Sequence, residues 1–254
     1  MKWKLFFCSL IFLSIQSTAQ VWELEKEWSL TDTKQHWVLD EWGQLYQWKD
    51  NSISVRNEQT GQLFQESFKY FGQISGLYPL NGLRSLIFSE EQQMIGVLDN
   101  TLQLKGSSIN LTEQGFEFVT AIASSARPDF IWLFDQYRQR LILFNINTAQ
   151  AVQIIDNCFG GSKDLQLVQF FEYQQNLICH LNDGRFFEFD RNLTLVKKLT
   201  LAPNLHLFGY QNELWQQEQN QIEKLGPSIQ SSPIELPITN YQEFQVLQDR
   251  FYFQ

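Results

Sequence analysis

Histidine and cysteine supply most nucleophilic and metal-binding chemistry, and this chain has three of each: His36, His180 and His206, with Cys8, Cys158 and Cys179. No histidine makes a metal-ligand spacing with another or with a cysteine, neither Cys158 nor Cys179 lies in a CxxC, and no H-E-x-x-H, G-x-S-x-G or Walker-type glycine loop occurs. His180 stands two residues before the turn Asn182-Asp183-Gly184, at what reads as the end of an inner strand, where an imidazole faces a channel mouth or bonds backbone. The other candidates are recognition residues in turns: Asp50, Asp135, Tyr137, Arg138 and Asp183. One stretch, 156–164, departs from its surroundings and carries Asn157, the pair Gly160-Gly161 and Lys163. Paired glycines reach backbone conformations closed to other residues, so the stretch reads as an anion nest or as a flexible connection.

Turns like these need strands to position them, and composition supplies strand formers. Aromatics make up 15% of the 254 residues, with Phe 22 and Trp 8, and such side chains favour pleated surfaces. Hydrophobic residues at 43% against 19% charged exclude disorder and collagen. An apolar pair followed by a polar cluster recurs as Leu45-Tyr46, Leu86-Ile87, Ile131-Trp132, Leu177-Ile178, Leu214-Trp215 and Phe251-Tyr252. The mean spacing is about 41 residues, the period at which four short strands make one propeller blade.

The first unit reads as strands over 36–40, 44–48, 52–56 and 62–66, separated by turn-forming clusters such as Asp50-Asn51. The third unit reads as strands over 130–134, 140–145 and 151–155, the fourth over 176–180, 185–189 and 193–199, and the fifth over 213–217 and 221–225 with a proline-bearing outer strand. The sixth, 244–247 and 250–254, is two strands short of a blade, and the strand-like segment 21–28 is available to complete it. The expected fold is all-β: a six-bladed β-propeller whose ring closes by strands from both termini in one blade.

The stretch 132–144, Trp-Leu-Phe-Asp-Gln-Tyr-Arg-Gln-Arg-Leu-Ile-Leu-Phe, resembles the strand, Asp, loop, Arg, strand core of an NHL-type repeat, and 45–61 and 177–190 look like degenerate copies. The resemblance implies the propeller superfamily that includes NHL and TolB-like proteins, with Asp135 and Arg140 holding a hairpin together. Some propellers resembling the gluconolactonase group bind a divalent metal in the central channel. That relation would implicate Asp40, Asp99, Asn100, Asp135 and Asp183, although an Asp in a strand-ending turn commonly bonds its own backbone.

Residues 1–19 read as a secretory signal peptide: Met1-Lys2-Trp3-Lys4 is positive, 5–15 is apolar, and Ser17 and Ala19 precede the cut before Gln20. An eleven-residue run is too short for a membrane span, which needs about 20 residues. Residues 20–254 then form a single β-propeller domain, periplasmic or extracellular. There Cys158 and Cys179 either pair or remain separate small hydrophobes. Loss of Lys2 and Lys4 takes the formal charge from −9 to −11, which disfavours nucleic acid.

Two functional readings follow. The first is a non-catalytic, monomeric platform without a cofactor, binding an envelope or extracellular protein, or a glycan, through Asp50, Asp135, Tyr137, Arg138, Asn157, Lys163 and Asp183. The second is a hydrolase, lactonase or lyase using channel carboxylates, with or without a metal. Fold alone does not choose between them.

Overall fold

The computed structural model describes Glu23 and residues 35–253, apart from 58–59, 82, 161–163, 204, 227–232, 239–240, 242–243 and 249. The expected leader, Lys163 and, except for Glu23, the expected closing strand 21–28 lie outside the described residues.

Four-stranded antiparallel sheets follow one another along the chain. Blade one is β1 (His36–Leu39), β2 (Gln44–Lys49), β3 (Ser52–Asn57) and β4 (Leu63–Ser67). Blade two is β5 (Gly76–Asn81), β6 (Arg84–Ser89), β7 (Met94–Asp99) and β8 (Ile109–Asn110). Blade three is β9 (Val119–Ser124), β10 (Phe130–Asp135), β11 (Arg140–Asn145) and β12 (Gln150–Ile155). Blade four is β13 (Leu167–Tyr173), β14 (Asn176–Leu181), β15 (Arg185–Phe189) and β16 (Leu195–Thr200). Blade five is β17 (His206–Tyr210), β18 (Glu213–Glu218), β19 (Gln221–Lys224) and β20 (Ile234–Glu235). A two-stranded sheet follows, β21 (Phe244–Leu247) and β22 (Arg250–Phe253). The described residues thus form five complete blades, not the six expected, because only two strands follow blade five.

The recurring apolar pairs all fall on the second strand of a sheet, β2, β6, β10, β14, β18 and β22. Side chains alternate between the faces of a sheet, and both faces of a blade are covered by neighbours, so these strands read as continuous apolar runs. In β10, Trp132 and Phe134 pack toward Leu177, Cys179 and Leu181 of blade four. The intervening Ile131 and Leu133 pack toward Leu86 and Phe88 of blade two. Burying each such side chain contributes roughly 1.5–3 kcal/mol.

Among the described residues there are six such clusters, one at every boundary between sheets. Tyr46 and Trp48 meet Ile87 between blades one and two, Ile178 meets Leu207 between four and five, and Phe208 meets Phe244 between five and the two-stranded sheet. Trp37, Leu39 and Leu45 meet Leu247 and Tyr252, which brings the last sheet against the first and closes the ring.

Sequence reading missed β9, β13 and β17, the first strands of blades three, four and five. His180 consequently lies on a second strand, not an inner one, and is fully buried, not at a channel mouth. None of the described helices is long and apolar enough to cross a membrane.

Candidate functional site

Five turns join a second strand to a third, and each holds one residue in the left-handed region: Asp50 (φ 53°), Gln93 (50°), Gln139 (48°), Gly184 (85°) and Gln219 (55°). Every one of these turns is stitched to the connection leaving its own blade. Ile74 donates its N–H to the carbonyl of Asp50 at 2.8 Å, Leu111 to Gln93 at 2.8 Å, Cys158 to Gln139 at 3.0 Å, Leu201 to Gly184 at 2.7 Å and Leu236 to Asn220 at 2.9 Å. Central turns and blade connections therefore build one rim, and Asp50, Asp135, Tyr137, Arg138, Asn157 and Asp183 all lie on it.

Between blades two and three that rim has a built element. Asp135 ends β10 with no exposed surface, and its two carboxylate oxygens accept the backbone N–H groups of Glu117 at 3.1 Å and Phe118 at 3.2 Å. The bent connection 111–118 is thereby held against the turn 136–139. Phe118 stacks on Tyr137, with ring centroids 5.2 Å apart and planes at 26°, and Glu117 pairs with the guanidinium of Arg138. Tyr137 remains 57% exposed. A buried carboxylate thus fixes an aromatic stack and an ion pair that both face solvent. Sequence reading found three members of this element and missed Glu117 and Phe118, which come from a connection 17 or more residues away.

The expected Asp135–Arg140 hairpin clasp is not what the structure shows. The two are cross-strand partners in the β10–β11 register, yet Asp135 bonds backbone and Arg140 Nε reaches Asp156 at 2.9 Å. Farther around the rim, Asp183 pairs with Arg185 Nε at 2.8 Å, while Arg185 Nη1 donates to the carbonyl of Phe159 at 2.7 Å. Slight burial alone would raise the Asp183 carboxyl, but the backbone N–H and guanidinium of Arg185 hold it below the usual carboxylate range. Asn157 takes the left-handed conformation (φ 51°) and is exposed in the connection 156–164. Cys158 and Cys179 are both free thiols in one apolar cluster. Burial pushes Cys158 up to about 12 and Cys179 well above its ordinary value, so neither forms a reactive thiolate near neutrality.

The carboxylates that the resemblance proposed for a channel metal do not converge. Asp40 Oδ1 accepts from the N–H groups of Trp42 and Gln44 at 2.9 and 2.8 Å, and Asp99 Oδ1 from those of Thr101 and Gln103 at 2.9 and 3.0 Å. Both cap their own turns at the end of the ring opposite the rim that holds Asp135 and Asp183. Among the described residues no group of three or more His, Cys, Asp or Glu side chains could hold a metal. His36 stacks on Trp48 and His206 meets Phe244 edge-on, both in packing roles.

No protein-family model matches the chain, and no curated protein matches it. Among solved structures it is similar to virginiamycin B lyase from Staphylococcus aureus, with a TM-score of 0.59 at 12% identity over 82% of this chain and 72% of that one. A catalytically inactive histidine-to-alanine variant of that lyase with quinupristin gives 0.61 at 11% identity, over 89% and 80%. The WD40 domain of Neurospora crassa Pan2 gives 0.52 at 8% identity, over 79% and 65%. These likenesses, together with the closed ring of sheets, show that the chain is an all-β propeller.

Proposed function

We propose that this chain is a non-catalytic, NHL/TolB-like propeller that works as a binding platform outside the cytoplasm, taking a protein or a glycan on the rim around Tyr137. The supporting observation is the element built on Asp135. It presents an exposed aromatic stack and an adjacent ion pair on a fixed base, and rigid aromatics beside Arg are favoured anchors at binding surfaces. The formal charge of −9 fits a partner with a basic face.

The test is a pull-down from the native envelope with the intact chain and with the double variant Tyr137→Ala, Arg138→Ala. The variant should keep its melting temperature and lose the captured partner. Equal recovery of the same partner by both would remove the rim from consideration. Turnover of a lactone or glycan that disappears on chelation would replace the platform with the enzyme reading.

Export and ring completion belong to the same proposal. The mature chain begins at Gln20, checked by intact mass, and residues 21–28 pair beside β21 and β22 to fill out a sixth blade. Deleting 21–30 should lower the melting temperature sharply, and an unchanged melting temperature would refute the completion.

A further inference from the structure

At the end of the ring opposite the rim, the outer edge of blade two breaks the pattern of its neighbours. β4, β12 and β16 have five, six and six residues, whereas β8, like β20 of blade five, has two and pairs with β7 only at Met94 and Ile95. The preceding chain bridges back at Leu104, where the Lys105 N–H still bonds the carbonyl of Val97 at 2.7 Å, and then continues through Gly106 and Ser107, with Gly106 in the left-handed region at φ 74°. Between this segment, β7 and the turn of blade three at Ile146-Asn147 a cavity of about 410 Å³ opens. That volume falls in the range of small-molecule sites, roughly 300–1,000 Å³.

The chemistry of its lining is one-sided. Ile95, Val97, Ile109 and Ile146 are its aliphatic residues, and Ser107 and Asn147 bring a hydroxyl and an amide. Among the described residues, the charged ones that line it are Arg84 and Lys105, in a chain with an excess of nine negative charges. Two carboxylates stand behind them. Asp129 Oδ1 stands 2.7 Å from Arg84 Nη2, an ion pair that faces part of a guanidinium with five N–H donors. Asp99 is the cross-strand partner of Arg84; slight burial alone would raise its carboxyl, but the N–H groups of Gln103 and Thr101 that engage its Oδ1, and the charge of Lys105, hold it below the usual range. Neither carboxylate lines the cavity.

We infer that this cavity binds a small organic anion, a carboxylate or phosphate head on a short aliphatic body, with the head between Arg84 and Lys105 and the body against Val97 and Ile109. A bidentate guanidinium contact and a mobile ammonium suit either head, and the aliphatic surface rewards a body of a few carbons. The site is independent of the rim.

Calorimetric titration of the full chain at low salt with hexanoate, hexyl phosphate and hexylamine tests the inference and separates the two heads. At least one anion should bind, hexylamine should not, and affinity should fall on raising the salt. Lys105→Glu, an exposed position, should weaken the bound anion at least ten-fold at unchanged melting temperature, and Ser107→Trp should block it by filling the cavity. Tyr137→Ala should leave it unaffected. Absence of binding by both anions, equal binding of hexylamine, or an unchanged affinity in Lys105→Glu would overturn the proposal.

Discussion

Gln245 and Leu39 lie 206 positions apart in the chain, yet Oε1 of Gln245 accepts the backbone N–H of Leu39 at 3.2 Å while Nε2 donates to the carbonyl of Trp37 at 3.0 Å. The side-chain amide acts as a short length of strand, pairing β21 with β1 across the ring closure. The same device recurs twice. Gln169 on β13 grips both backbone groups of Leu207 on β17 at 2.8 and 3.1 Å, and Gln93 grips both of Val119 on β9 at 2.7 and 2.9 Å.

Removing one clamp strands two backbone groups that have little access to water. Gln245→Ala should therefore cost about 1–3 kcal/mol. Urea denaturation gives the value, and Gln245→Glu, which keeps the acceptor and loses the donor, should fall between it and the parent. A loss below 0.5 kcal/mol, small on the scale of a buried unpaired group, would mean that apolar packing alone closes the ring.

Asp135 is the base of the rim element. Asp135→Ala leaves the N–H groups of Glu117 and Phe118 without their acceptor and should also destabilise by about 1–3 kcal/mol. Asp135→Asn retains acceptor oxygen and should be milder. Amide hydrogen exchange at Glu117 and Phe118 is the direct readout: unchanged protection in the alanine variant would show that something else holds the connection.

Burial lowers the pKa of both His180 and His206 from the ordinary 6.5. For His180 the carbonyls of Ala202 and Leu205 and the Asp183 carboxylate oppose that shift without cancelling it; for His206 the side chain of Gln217 does so. A folded-state pKa below the unfolded one makes a contribution that is present above pH 6.5 and is lost as pH falls through the folded value. Stability should therefore decline from pH 6.5 downward, and His180→Gln should flatten part of that slope. Asp40 and Glu90 are shifted up by burial, so their contribution has the opposite sign: present at acid pH and lost as pH rises through their folded values. A flat profile between pH 7 and 5 in chemical denaturation would contradict the histidine assignment.

Two glycines separate conformational cost from collision. Gly43 (φ 76°) and Gly184 (φ 85°) both sit in the left-handed region, but a methyl at Gly43 meets nothing within 4 Å, whereas one at Gly184 runs into the carbonyl oxygen of Leu201. Gly43→Ala should cost about 1 kcal/mol from backbone conformation alone. Gly184→Ala should cost distinctly more, because the Leu201 N–H also bonds the carbonyl of Gly184 and the contact cannot relax freely. Equal melting temperatures for the two variants would remove the steric argument.

The sequence made the second strands legible, since Ile131-Trp132 or Leu177-Ile178 must be apolar on both faces to lie between two blades. It also made the rim turns legible, because Asp50, Asp135 and Asp183 each close a strand that can be read. The first strand of blade three was invisible. β9 is Val-Thr-Ala-Ile-Ala-Ser, whose small side chains suit the crowded inner part of the ring and carry no strong period. Phe118 and Glu117 were invisible for a different reason, since nothing local says that a connection folds back onto a turn 17 residues later. Nor does any local pattern mark the cavity beside Lys105, whose lining comes from two blades.

A clamp that spans 206 positions constrains when the ring can finish folding. Single blades have apolar faces on both sides, so each has surface to cover until its neighbours arrive, and the contact between β21 and β1 is available only once residues through Leu247 have been synthesised. High sequence separation of this kind slows folding and prolongs the exposure of unpaired strand edges. Newly made protein should therefore depend on protection during synthesis to a degree that its final stability would not suggest.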